Sequence, residues 1–135
     1  MLIAQPGQMG PLKLRNRIIM GPMGTNYGTT DGLSTERDKL YYGERAKGGA
    51  AMIITEAMVI TEGARNHTNS MCLFHDRYIP GLAGIVEAIH AHGALAVGRS
   101  ITAARCSSAR CWVWSRCRHP TGTIPTRASR RARWP

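Results

Sequence analysis

The stretch Arg15–Gly28, RNRIIMGPMGTNYG, sets the reading of the whole chain. A basic, polar lead gives way to Ile18-Ile19-Met20, and Gly21-Pro22-Met23-Gly24 then breaks the run. Arg17–Met23 reads as a short strand, buried on both faces, that ends near Pro22. Pro22 fixes φ and carries no N–H to leave unpaired. Gly21 and Gly24 let a backbone come close to a flat ligand. The alternative is a plain strand end followed by a tight turn. Gly24–Gly32 has loop composition.

The pattern repeats outward from there. Thr35 reads as a helix cap with Asp38 as its capping-box partner. The helix runs from Glu36 to about Lys47, with Leu40 and Tyr41 supplying a modest inner face, and Gly48-Gly49 stops it. Ala50–Ala57, AAMIITEA, is a second apolar run, and Val59–Asn69 is polar and irregular. In YIPGLAGIVEAIHAHG, Ile79, Leu82, Ile85, Val86 and Ile89 recur at helical spacing on one face. Pro80 suits an early turn and Gly93 a C-terminal stop. Ala94–Val97 begins a third strand. Apolar strands separated by one-faced helices mean a parallel sheet covered by helices, open or closed into a barrel.

Charge divides the 135 residues in two. Residues 1–97 hold nine Lys or Arg against eight Asp or Glu, whereas residues 98–135 hold nine Arg and no acid. All three Trp and three of the four Cys also lie after residue 97. The net charge of +10 is therefore a property of the tail. One-sign charge with few aliphatic residues predicts an unstructured, Arg-rich segment over 98–135. No apolar run is long enough to span a membrane, and no signal-peptide pattern is present. Cys72 stands alone in the balanced part, so a cytoplasmic setting is expected.

Gly10–Tyr27, Tyr41–Ala57 and Ile89–Ala94, in their order and spacing, resemble the N-terminal part of the NADH:flavin oxidoreductase family. This is the old yellow enzyme group with its 2,4-dienoyl-CoA reductase-like branch, and the resemblance spans residues 1 to about 94. It implies an α/β chain forming the first two to three strands of a (β/α)₈ TIM barrel. It also implies FMN at the C-terminal strand ends and NAD(P)H as hydride donor. The substrate it implies is an activated alkene. By the same resemblance Pro22, Met23, Gly24, Thr25 and Ala57 face the flavin, and Tyr27 lines its substrate side. Some relatives carry Cys where Gly24 stands. The family's third strand usually carries a flavin-binding Gln, and AVGRSITAARC has none.

That departure, together with the loss of acids and lysines, fits an out-of-frame reading of GC-rich DNA over the tail. Arg99–Thr102 back-translates, two bases shifted, to Gln-His-His. On this reading the chain is a partial FMN-binding barrel domain over 1–97, inactive by itself, followed by the tail.

Other motifs carry less. Glu56, at a strand end, reads as a structural hydrogen-bond partner rather than an acid–base group. His90 and His92 point apart on a helix, and His67 and His75 are isolated loop residues. Cys106, Cys111, Cys117 and His119 lack the paired spacing of structural zinc sites. Family branches with a 4Fe–4S cluster carry its cysteines much later, so the sequence leaves the cluster unknown. Trp112 and Trp114 among arginines would suit a basic interaction protein that binds nucleic acid or anionic surfaces. No recognised module frames them.

Overall fold

The computed structural model of the chain describes residues 1–65 and 67–101. Of the tail expected over 98–135, residues 98–101 are described and belong to a strand rather than to an unstructured segment; residues 102–135, with the tail's Cys, Trp and His residues, lie outside the described residues.

A hairpin comes first, and the sequence reading did not anticipate it. Strands β1 (Gly7–Met9) and β2 (Leu12–Leu14) pair antiparallel. Gly10, at φ 56°, makes the turn between them. The main sheet is parallel, in the order β3 (Ile19–Met20), β4 (Met52–Val59), β5 (Leu95–Ile101). Helix α1 (Glu36–Lys47) connects β3 to β4, and α2 (Ile79–His90) connects β4 to β5. The strand–helix–strand–helix–strand order is the expected one.

The first parallel strand departs from expectation. Its ladder covers only Ile19 and Met20, and Ile18 and Ile19 are 42% and 41% exposed. It is not buried on both faces, because β3 is an edge strand with a ladder partner on one side only among the described residues. β5 begins where expected but continues past Val97 to Ile101.

The main core lies between the helices and one face of the sheet, where Tyr42, Ala46, Ile53, Ile85 and Ile89 are buried together. Leu82 and Tyr41 pack against it half-buried, as the spacing predicts. Leu40, in contrast, is 66% exposed. At about 100° per residue it stands on the opposite side of α1 from Tyr42. Ile79 and Val86 are also exposed. They lie on the flank of the α2 face that Leu82, Ile85 and Ile89 define. On the other face of the sheet, Leu14 of the hairpin packs on Ala51, Met52 and Leu95. The hairpin thus covers the N-terminal ends of β4 and β5 and leaves their C-terminal ends free.

The helix ends follow the sequence signals. Thr35 and Asp38 form the capping box, with the Asp38 carboxylate accepting the Thr35 N–H at 2.8 Å. Gly49 (φ 107°) and Gly93 (φ 69°) turn the chain out of the helices into the next strands. Both are left-handed conformations that favour glycine. One guanidinium ties the two helix ends together. Arg15 donates to the carbonyls of His92, Ala46 and Ala50 at 2.5–2.8 Å.

Candidate functional site

The parallel strands all end at one rim. There the β3–α1 loop, β4, the β4–α2 loop and β5 enclose a cavity of about 160 Å³. Gly24 and Asn26 come from the first loop, Glu56 and Ala57 from β4, His67 and Ser70 from the second loop, and Arg99 and Ile101 from β5.

Glu56 and Ala57 are consecutive, yet both line the cavity. In a regular strand they would point to opposite faces. The register explains the exception. Ile54 pairs with Val97 and Ala57 with Arg99, so β4 places two residues opposite the single Gly98 of β5. This irregularity of the bulge type re-aims the side chains that follow it.

Glu56 is 3% exposed and holds the first loop in place. Its Oε2 accepts the Thr25 N–H at 2.5 Å and the Thr25 hydroxyl at 2.8 Å. Its own main-chain N–H donates to the Tyr42 hydroxyl at 2.8 Å. Burial first, then the nearby Glu56 and Asp38 charges, push the Tyr42 phenol pKa well up, against a lowering from the Glu56 hydrogen bond. Tyr42 is therefore a neutral acceptor here. A second tie runs between the loops. Asn26, at φ 56°, accepts the Asn69 N–H at 2.9 Å through Oδ1. Gly28 packs so close that a Cβ there would come within 2.6 Å of the Asn69 carbonyl oxygen.

Of the residues expected to face a flavin, the fold brings Gly24 and Ala57 into one cavity and places Thr25 beside it on Glu56. Pro22 and Met23 precede Gly24 on the same loop, and Met23 is 60% exposed. Tyr27 lies apart from the cavity. Its ring meets Tyr41 edge-on at 5.7 Å, and the Arg37 guanidinium stacks 3.8 Å from its centroid. The sequence reading of Glu56 as a structural hydrogen-bond partner agrees with its contacts. It did not bring Asn26, Ser70, Arg99 or Ile101 to the site, and it left His67 isolated. Their shared signal is position, since each follows or ends a parallel strand.

The described residues fit one wall of a planar cofactor. A Cβ at Gly21 or Gly24 would meet nothing within 4 Å, so the backbone there is open to close approach. Ala57 is small, and Glu56 Oε1 is a buried acceptor with no partner among the described residues. The cavity is smaller than the roughly 300–1,000 Å³ typical of small-molecule sites, so the wall is not a complete site.

A parallel strand–helix segment with its polar cavity at the C-terminal rim is the arrangement of TIM-barrel enzymes. The comparisons agree. The chain belongs to the NADH:flavin oxidoreductase / NADH oxidase family, whose pattern matches residues 3–106. It is 38% identical over 89 residues to an NADH oxidase of Thermoanaerobacter brockii, covering 65% of this chain and 14% of that protein. It is 38% identical over 104 residues to a metal reductase of Desulforamulus reducens, covering 77% and 15%. Among solved structures, morphinone reductase with tetrahydroNAD aligns at TM-score 0.67 and 34% identity, over 73% of this chain and 26% of that one. A 2-naphthoyl-CoA reductase complex aligns at TM-score 0.72 and 25% identity, over 75% and 16%.

The chain thus spans about a seventh of the length of these curated relatives. It is an α/β segment of a TIM barrel, with no closed barrel among the described residues. None of the described helices is long and apolar enough to cross a membrane. The comparisons give no support to the alternative of a basic interaction protein.

Proposed function

We propose that residues 1–101 supply the first strands and one cofactor-facing wall of an FMN-dependent NAD(P)H oxidoreductase of the ene-reductase type. The observation that carries this reading is the rim cavity itself. It sets an open glycine backbone, a small alanine and a buried acceptor side by side at the strand ends. FMN, when bound, supplies hydride transfer from NAD(P)H to an activated alkene such as an enone or enoyl thioester.

The chain's own residues bind and orient. Pro22, Met23, Gly24, Thr25 and Ala57 are the residues that would hold the flavin here. Glu56 holds Thr25, and so the loop, at a fixed height above the strands. Tyr27, fixed by Tyr41 and Arg37, is the residue proposed on the substrate side. Arg99, within β5, lines the same cavity; on that third parallel strand the family usually carries a flavin-binding Gln, which this chain lacks. The cytoplasm is part of the same proposal, since the buried free thiol of Cys72 suits a reducing compartment.

The test is a hybrid barrel in which residues 1–101 replace the matching segment of morphinone reductase. A folded hybrid that retains the flavin's visible absorbance and oxidises NADH supports the reading. A folded hybrid that purifies colourless sinks it. The 135 residues by themselves are expected to show no turnover, because they build one wall of the site.

A further inference from the structure

The two oxygens of the Glu56 carboxylate have different surroundings. Oε2 accepts both the N–H and the hydroxyl of Thr25. Oε1 is buried and has no hydrogen-bond partner among the described residues. No cation pairs with either oxygen among the described residues, although Arg99 lines the same cavity. A buried carboxylate oxygen left without a donor is costly. The bulge in β4 turns this residue, together with its neighbour Ala57, toward the cavity.

We infer that Glu56 is the positioning residue of the rim: Oε2 fixes Thr25 and the Pro22–Thr25 loop, and Oε1 accepts a hydrogen bond from an N–H or O–H of the group bound in the cavity. The inference rests on the flavin reading, and FMN carries such donors on its ring and on its ribityl chain. Loop and ligand are then held by one carboxylate. The loop is in place before the ligand arrives, and the ligand satisfies the remaining oxygen.

The experiment is ¹H–¹⁵N NMR of the full chain, with and without excess FMN, for the wild type, Glu56→Ala, Glu56→Gln and Thr25→Ser. The Thr25 amide, donating to a carboxylate, is expected far downfield and slow to exchange. Glu56→Ala removes the downfield shift and speeds exchange by about tenfold or more. Glu56→Gln keeps the tether, because its amide oxygen still accepts from Thr25. It presents an NH₂ donor where Oε1 stood and weakens the FMN response of Gly24, Thr25 and Ala57 by about tenfold. Thr25→Ser behaves as wild type.

The inference is overturned if Glu56→Ala leaves the Thr25 amide unmoved, or if Glu56→Gln responds to FMN as wild type does. If Glu56→Ala loses its dispersed spectrum, Glu56→Gln decides. A wild-type chain with the Thr25 signature intact but no response to FMN overturns the ligand half of the inference, whereas the flavin reading itself falls only if the hybrid barrel purifies colourless. That result is distinct from a missing tether.

Discussion

The Tyr42 ring is buried between α1 and the sheet, and its hydroxyl accepts the Glu56 main-chain N–H at 2.8 Å. Tyr42→Phe keeps the ring and strands that buried N–H. The expected cost is about 1–3 kcal/mol, read from the urea unfolding midpoint. The same hydroxyl makes stability depend on pH. In the unfolded chain the phenol ionises near its ordinary value of 10.0, and burial pushes it higher in the folded chain. Above that pH the folded state binds more protons than the unfolded one, so stability falls as pH rises. Below it the contribution is fully present. Alkaline unfolding curves should show this slope in the wild type and a shallower one in Tyr42→Phe. Little of this was legible in the sequence. Tyr41 and Tyr42 are adjacent in the chain, and only the rotation of α1 decides which of them is buried.

The elements were more legible, because each announces itself locally. The Thr35–Asp38 box starts α1 where the sequence places it, and Gly48-Gly49 ends it. Thr35→Ala should lower the thermal midpoint by an amount equivalent to about 1 kcal/mol. Where α1 crosses α2, Gly43 faces Ala88. A Cβ at Gly43 would lie 3.8 Å from that of Ala88, an ordinary contact. Gly43→Ala is therefore expected to stabilise the chain by about 0.5–1 kcal/mol, measured by urea denaturation. The hairpin at Gly7–Leu14 was missed because three-residue strands carry too little alternation to register. The irregularity in β4 was missed for a different reason. Ile54 to Ala57 reads as continuous strand, and the extra residue exists only relative to β5.

For the molecule as a whole, the edge strand β3 matters most. Ile18 and Ile19 lie exposed along it, and β3 has a ladder partner on one side only among the described residues. Exposed apolar edges pair with other chains, and an edge lysine discourages that pairing. Sedimentation velocity should show concentration-dependent association of the full chain, reduced in Ile19→Lys. In the hybrid barrel Ile19→Lys should instead impair folding, because closure buries this strand.

The sequence by itself determined the parallel strand–helix alternation, the helix limits and the loop that follows the first strand. Those features rest on apolar spacing, capping and backbone restriction, which act over a few residues. The tertiary structure alone decided that Glu56, Ala57, Gly24 and Arg99 share one cavity and that Tyr27 packs on Tyr41 instead of lining it. It also decided that a single carboxylate holds the loop. These outcomes depend on register between strands far apart in the chain, and register is a property of pairs of strands that no one strand's sequence contains.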